Sequence, residues 1–176
     1  MIRRFKDLLP EVDGSAYVDP SAQVIGDVVI GAESSVWMNV VIRGDVNRIR
    51  IGRRSNVQDL TMVHVMRDTH PTLIGDEVTI GHSAVIHGTT IEDRVLVGMA
   101  AVLLNGVARG AGLHHRRGSL LPEGMRVPAR SPVMGRPARE ADAHRRGKGL
   151  RFAGTPTTTS GYRLDYPGAP ATEPAP

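Results

Sequence analysis

An apolar residue returns at every sixth position: Val18, Val24, Ile30, Val36 and Ile42, then Ile74, Ile80 and Ile86, then Ile91, Val97 and Leu103. This period matches neither the ~3.6 residues of a helix nor the ~2 of an ordinary strand. It marks a repeat in which each hexapeptide supplies one short strand and one corner of a solenoid. Glycine follows the apolar residue in IGA, IGR, IGD, IGH and VGM, where a corner is expected to need a residue without a side-chain penalty. Ala22, Ser34, Ser55, Ala84 and Ala101 lie four positions after the apolar residue and are small enough to let successive coils approach closely.

Three hexapeptides make a coil of about 18 residues, so residues 13–137 can form one domain of roughly six coils, preceded by a lead-in over 1–12. Aromatic residues are only 3% of the chain, which suits a narrow prism filled by single Val, Ile and Leu side chains. The beat breaks at RGDVNR after Ile42 and again over 66–72, and loops on the outside of a solenoid commonly line its site. It next requires apolar residues at 109 and 115, where Arg109 and His115 stand, so the last coil (107–118) is expected to be irregular before the ladder recovers at Leu121. Residues 138–176 have no usable periodicity and are expected to form a largely disordered tail with at most residual helix.

The net charge of +4 suggests a nucleic-acid binder until it is located. Residues 1–108 hold 10 basic against 13 acidic side chains, while 109–151 hold 11 against 3, without interleaved aromatics to stack bases. No nucleic-acid partner is expected. Absence of cysteine excludes disulfides and thiolate metal ligands. No apolar run is long enough for a membrane span, and MIRRFKDLL is too short and charged for a secretory signal, so no membrane partner and a cytoplasmic location are expected.

His64, His82 and His87 lie among the repeats. Imidazole binds zinc and other borderline metals, and three histidines plus one water form an open catalytic pattern. His64 and His82 are about one coil apart, so they can stack if the break at 66–72 preserves the phase. His82 and His87 are separated by an odd number of residues, and on a continuous strand they would face opposite sides. One chain could then direct both at one metal only around a corner, whereas a site between neighbouring subunits removes the difficulty. The plainer alternative is three polar surface residues, each bonded to a backbone carbonyl.

The run WMNVVIRGDVNRIRIGRRSNVQDLTMVHV, followed by IGDEVTIGHSAVIHGTTI, resembles the gamma-class carbonic anhydrases and their relatives among hexapeptide-repeat proteins. The resemblance covers about residues 10–137, and its NxQDxxxxH and GHxxxxH elements are more specific than the beat alone. It implies an all-β, single-stranded left-handed parallel β-helix and a homotrimer. It also implies one divalent metal at each subunit interface, zinc first, with iron or cobalt open. By that resemblance His64 and His87 come from one subunit and His82 from its neighbour. The implied reaction is reversible hydration of carbon dioxide to bicarbonate by a metal-bound hydroxide, which Gln58 would orient. Arg43, Asp45 and Asp59 match an ion-pair network supporting the site and the interface, and Tyr162 in GYRLDY matches a C-terminal tyrosine near the family's site. Ionisation of zinc-bound water near about pH 7 is a property of carbonic anhydrases as a group and is taken over from them. Some members carry glutamates on an acidic loop to remove the proton; here VMRDTHPT offers only Asp68 and His70. The His70 imidazole suits a proton shuttle. Two other readings are a non-catalytic metal-binding trimeric assembly subunit and a hexapeptide acyltransferase or thioesterase acting on a coenzyme A ester. The latter chemistry needs one general-base histidine rather than a spaced trio.

Chains of this family usually continue NGARVGAGSIIAAGSLLPEG where this one reads NGVARGAGLHHRRGSLLPEG. Read one base out of step, codons for GSIIAA give LHHRR, with SLLPEG back in frame. A compensated frameshift is therefore expected between about Val107 and Gly118, and a second between about Glu140 and Gly161, where an amphipathic helix would precede YRLDY.

Overall fold

The computed structural model describes residues 1–109, 116–127 and 133–140. His114, His115, Tyr162 and the expected C-terminal tail from 141 onward lie outside the described residues, as does the second suspected frameshift beyond Glu140.

The chain winds as a parallel β-helix with three walls. The first wall stacks β3 (Tyr17–Val18), β5 (Ser35–Val36), β7 (Asn56–Val57), β10 (Thr79–Ile80) and β13 (Leu96–Val97). The second begins with β1 (Ile2–Arg3) and takes the first halves of β4 (Gln23–Ile30) and β6 (Val41–Ile51). It continues through β8 (Met62–His64), β11 (Val85–His87), β14 (Val102–Leu103) and β16 (Leu120–Leu121). The third runs from β2 (Glu11–Val12) through the second halves of β4 and β6 to β9 (Thr72–Ile74), β12 (Thr90–Ile91), β15 (Ala108–Arg109) and β17 (Arg126–Val127). A hairpin of β18 (Val133–Gly135) and β19 (Ala138–Glu140) follows. Residues 2–12 thus extend the walls, and β1 and β2 cover the free edge of β4.

The hexad residues fill the prism. Val36, Val57, Ile80 and Val97 are in register on one wall, Val24, Ile42, Val63, Ile86, Leu103 and Leu121 on the next, and all are fully buried. Burial of each such side chain contributes about 1.5–3 kcal/mol. Outward positions alternate with them. On the second wall the outward column is itself apolar: Val41, Met62, Val85, Val102 and Leu120, in register.

Coil length varies, and the pairing of β4 with β6 shifts register between Gly26 and Val28 to absorb the first insertion. Bonded residues on adjacent coils are 18 apart at Ser21 and Asn39, 21 at Ser34 and Ser55, 23 at Ser55 and Val78, and 17 at Asp76 and Asp93. The extra residues bulge at the corner between walls two and three, over 43–48 and 65–71, which are the two breaks in the beat.

The corners correct one sequence-based expectation. The glycines of IGA, IGR, IGD and IGH do not carry the turn; the positive φ falls two residues later, on Glu33 (58°), Arg54 (51°), Glu77 (57°) and Ser83 (59°). What these glycines supply is clearance. A Cβ on Gly31 would come within 2.9 Å of the Gly52 carbonyl carbon, and one on Gly81 within 2.8 Å of the Met99 nitrogen. The small residues behave as read: Ala22, Ser34, Ser55, Ala84 and Ala101 are all buried. Ser55 Oγ accepts from Val78 N at 3.0 Å and donates to Gly75 O at 2.8 Å on the following coil, while Ser55 N donates to Ser34 Oγ at 3.0 Å on the preceding one, tying three coils together. At the corner after the third wall the left-handed residues form the row Glu33, Arg54, Glu77, Arg94, with Arg54 paired to Glu77 at 2.7 Å.

Arg109 holds the register position between Ile91 and Val127, in place of the expected apolar residue. The first wall has five strands among the described residues. The described chain resumes in register, with Gly118 N bonded to Met99 O and Leu121 buried.

Candidate metal centre

Two corners of the second wall carry the sequence-predicted residues. At its start, after the first wall, stand Gln58, Asp59 and His82. At its end, where β6, β8 and β11 enter the long corner, stand Arg43, Asp45, His64 and His87. His64 stacks on His87 rather than on His82, with a separation of 23 residues, because the 66–70 loop lengthens that coil. A wall's width, on the order of 10 Å at the usual strand rise, separates His82 from this pair. Among the described residues no three His, Asp or Glu side chains of one chain come together to hold a metal.

The His64–His87 pair has its facing nitrogens, Nδ1 of His64 and Nε2 of His87, 3.1 Å apart. Each ring is held from behind. His64 Nε2 lies 3.0 Å from Asp45 Oδ1, and Arg43 clamps the other oxygen of that carboxylate. His87 Nδ1 lies 2.7 Å from Oδ1 of Asn105, whose Nδ2 donates to Glu123 Oε1 at 2.6 Å. Burial pushes the His64 imidazole below its usual pKa despite the opposing pull of Asp45. Asp45 stays below the usual carboxylate range; burial raises it, but bonds to His64 and Arg43 outweigh that.

The neutral tautomers that satisfy the acceptors behind both rings carry their protons on the outer nitrogens. Two lone pairs then face each other across 3.1 Å, an arrangement that repels unless a cation lies between. Two imidazoles bound at ~2.0–2.1 Å to a tetrahedral ion have nitrogens about 3.3 Å apart. The donor set therefore fits a divalent metal with room for further ligands.

His82 is open to solvent, with Nδ1 2.9 Å from Asp59 Oδ2. Gln58 is half-buried beside it, with its backbone bonded to Ile80 O. His70 reaches the same corner as His87: a Cβ on Gly88 would meet its Cβ at 2.9 Å, and one on Gly106 its Nε2 at 3.2 Å. Its Nδ1 is 2.9 Å from Thr69 Oγ1. Sequence reasoning missed Asn105 and Glu123. The signal was available, since one coil of 18 residues carries His87 to Asn105 and a second carries Asn105 to Glu123.

A parallel prism of hexads with paired histidines at a corner defines a hexapeptide-repeat left-handed β-helix protein. The solved hexapeptide transferase family protein from Anaplasma phagocytophilum superposes with a TM-score of 0.82 at 32% identity, covering 92% of this chain and 93% of that one. The probable carbonic anhydrase of Methanocaldococcus jannaschii is 51% identical over 118 residues, 67% of this chain and 74% of the relative. The mitochondrial gamma carbonic anhydrase 1 of Arabidopsis thaliana is 48% identical over 138 residues, 76% of this chain; the match spans about half (50%) of that relative's length. No protein-family model matches the chain. The chain belongs to the gamma carbonic anhydrase-like family of hexapeptide-repeat proteins. No helix among the described residues is long and apolar enough to cross a membrane.

Proposed function

We propose that this protein hydrates carbon dioxide reversibly to bicarbonate at a divalent-metal site shared between copies of the chain in a homotrimer. The observation that carries this reading is the His64–His87 pair, whose ring nitrogens face each other at 3.1 Å with an acceptor oxygen behind each ring. A third imidazole, His82, stands exposed at the far end of the same wall. One chain cannot close the three on one ion, whereas a neighbour packed across the apolar column Val41–Met62–Val85–Val102–Leu120 can bring its His82 to the pair. Cyclic closure of this heterologous contact gives a trimer, and an apolar column of this kind is suited to burial.

The bound metal, zinc first, would supply Lewis-acid activation of water at neutral pH. The chain's own residues do the rest. Arg43 and Asp45 hold His64, Asp59 holds His82, and Gln58 beside Asp59 orients the attacking water. His70, packed along the His87 corner, takes the released proton toward solvent.

Metal analysis, mass by light scattering, and carbon dioxide hydration by zinc- and iron-loaded protein test the reading. One metal per chain, a trimeric mass and hydration activity are expected. Metal without activity would leave an assembly subunit. The solved relative is titled a hexapeptide transferase family protein, so acyl transfer or hydrolysis on a coenzyme A ester is the second reading. Turnover of such an ester without carbon dioxide hydration would favour it.

A further inference from the structure

The corner that carries His87 continues outward through Asn105 to Glu123. Glu123 is exposed and Asn105 half-buried. Their orientation is nevertheless specific. The Asn105 amide is turned with Oδ1 toward His87 Nδ1 at 2.7 Å and Nδ2 toward Glu123 Oε1 at 2.6 Å.

An amide can be turned over at little cost in shape, and the choice decides the protonation of His87. With Oδ1 inward, Asn105 accepts, His87 carries its proton on Nδ1, and Nε2 presents a lone pair to the gap facing His64. With Nδ2 inward, Asn105 donates, the proton moves to Nε2, and His87 bonds directly to His64 Nδ1 across the 3.1 Å gap. The first state accepts a cation; the second fills its place with a hydrogen bond. Nothing in Asn105 itself selects between them. A carboxylate does, because it can only accept: turned over, Asn105 would set Oδ1 against Glu123 oxygen.

We infer that Glu123 is a positioning residue which, by fixing the Asn105 amide, holds His87 in the Nδ1-protonated tautomer and keeps the gap between His64 and His87 open to a metal ion. Outer-shell partners of ligating histidines are worth about 10–100-fold in metal affinity. What is particular here is that the control sits two bonds out, on an exposed glutamate one coil beyond the asparagine. The inference rests on the metal reading proposed above, but its tautomer half can be read without metal.

The test uses Glu123→Gln, whose amide both donates and accepts and so releases the choice, and the double variant Asn105→Asp with Glu123→Gln, in which the inner group is again acceptor-only. In metal-free protein near about pH 8, where imidazoles are neutral, nitrogen NMR should show His87 protonated on Nδ1 in the parent and double variant. In Glu123→Gln it should be shifted toward Nε2. Zinc affinity by competition titration should fall about tenfold or more in Glu123→Gln and return in the double variant. A Glu123→Gln protein with the parental tautomer and zinc affinity overturns the inference. If the tautomers change as expected but the parent binds no zinc, the metal reading fails and the positioning role stands.

Discussion

Asp59 Oδ2 lies 2.9 Å from His82 Nδ1, so His82 turns its Nε2 away from the carboxylate and its ring stands half open to solvent. About half of the His82 side chain is covered by its own chain, and Asp59 favours the tautomer that carries its proton on Nδ1. His82→Ala should therefore leave the metal-free coil as stable as the parent while abolishing metal binding. Metal analysis alongside a thermal scan checks both halves. Full metal content in the variant would remove His82 from the site.

Ser55 joins three coils through bonds that no water can replace, since its position is buried. Ser55→Ala strands the Val78 amide and the Gly75 carbonyl. It should cost about 1–3 kcal/mol, the usual penalty for a buried unmatched polar group, seen as a lower denaturant midpoint. An unchanged midpoint would mean that the ladder does not stabilise the stack.

Glycine clearance can be separated from glycine flexibility. Gly31→Ala forces a Cβ against backbone of the next coil at 2.9 Å, where no side chain can move aside, and should destabilise by about 1–3 kcal/mol. Gly14→Ala meets nothing within 4 Å and should be close to neutral. Equal effects in the two thermal scans would refute the clearance argument.

The pH dependence turns on Asp19, which is buried and accepts from Tyr17 Oη, Ser21 N and Ser21 Oγ. Burial alone would raise its pKa, but these bonds together hold it below the usual carboxylate value. A depressed carboxyl contributes stability above its unfolded pKa of about 3.9 and loses it as pH falls through the folded value. Stability should therefore decline below about pH 4. Asp19→Asn should be less stable at neutral pH and flatter in acid. Parallel acid profiles for the two proteins would exclude Asp19 as a contributor.

If a reading-frame slip produced LHHRR, returning Leu113, His114, His115, Arg116 and Arg117 to Ser, Ile, Ile, Ala and Ala should raise the unfolding midpoint by several degrees. In the sequence, position 115 follows Val97 by 18 residues, where the hexad beat calls for an apolar residue. No gain in midpoint, or a loss, would show that the native run is suited to its coil.

The prism was legible because an inward strand position admits only an apolar side chain, and the six-residue period marks those positions directly. The two long corners were legible for the same reason, as places where Ile42 and Val63 are followed by a lost beat. The histidine stack was less so: 18 residues separate His64 from His82, but that coil carries extra residues, and only the observed register shows His87 beside His64. The glycines misled because sequence cannot distinguish a residue that must bend from one that must leave room. Asn105 and Glu123 were hidden because a hydrogen-bonding role leaves no mark on apolar periodicity.

The row Glu33, Arg54, Glu77, Arg94 has a further consequence for assembly of the stack. Near-identical coils can be miscounted during folding, since any strand offers its neighbour a similar ladder. Omitting one coil would bring Glu33 against Glu77, or Arg54 against Arg94, and like charges on facing positions are unfavourable. The alternating row thus works as a parity check on coil order, penalising loss of either coil inside the row while remaining silent in the native sequence of turns.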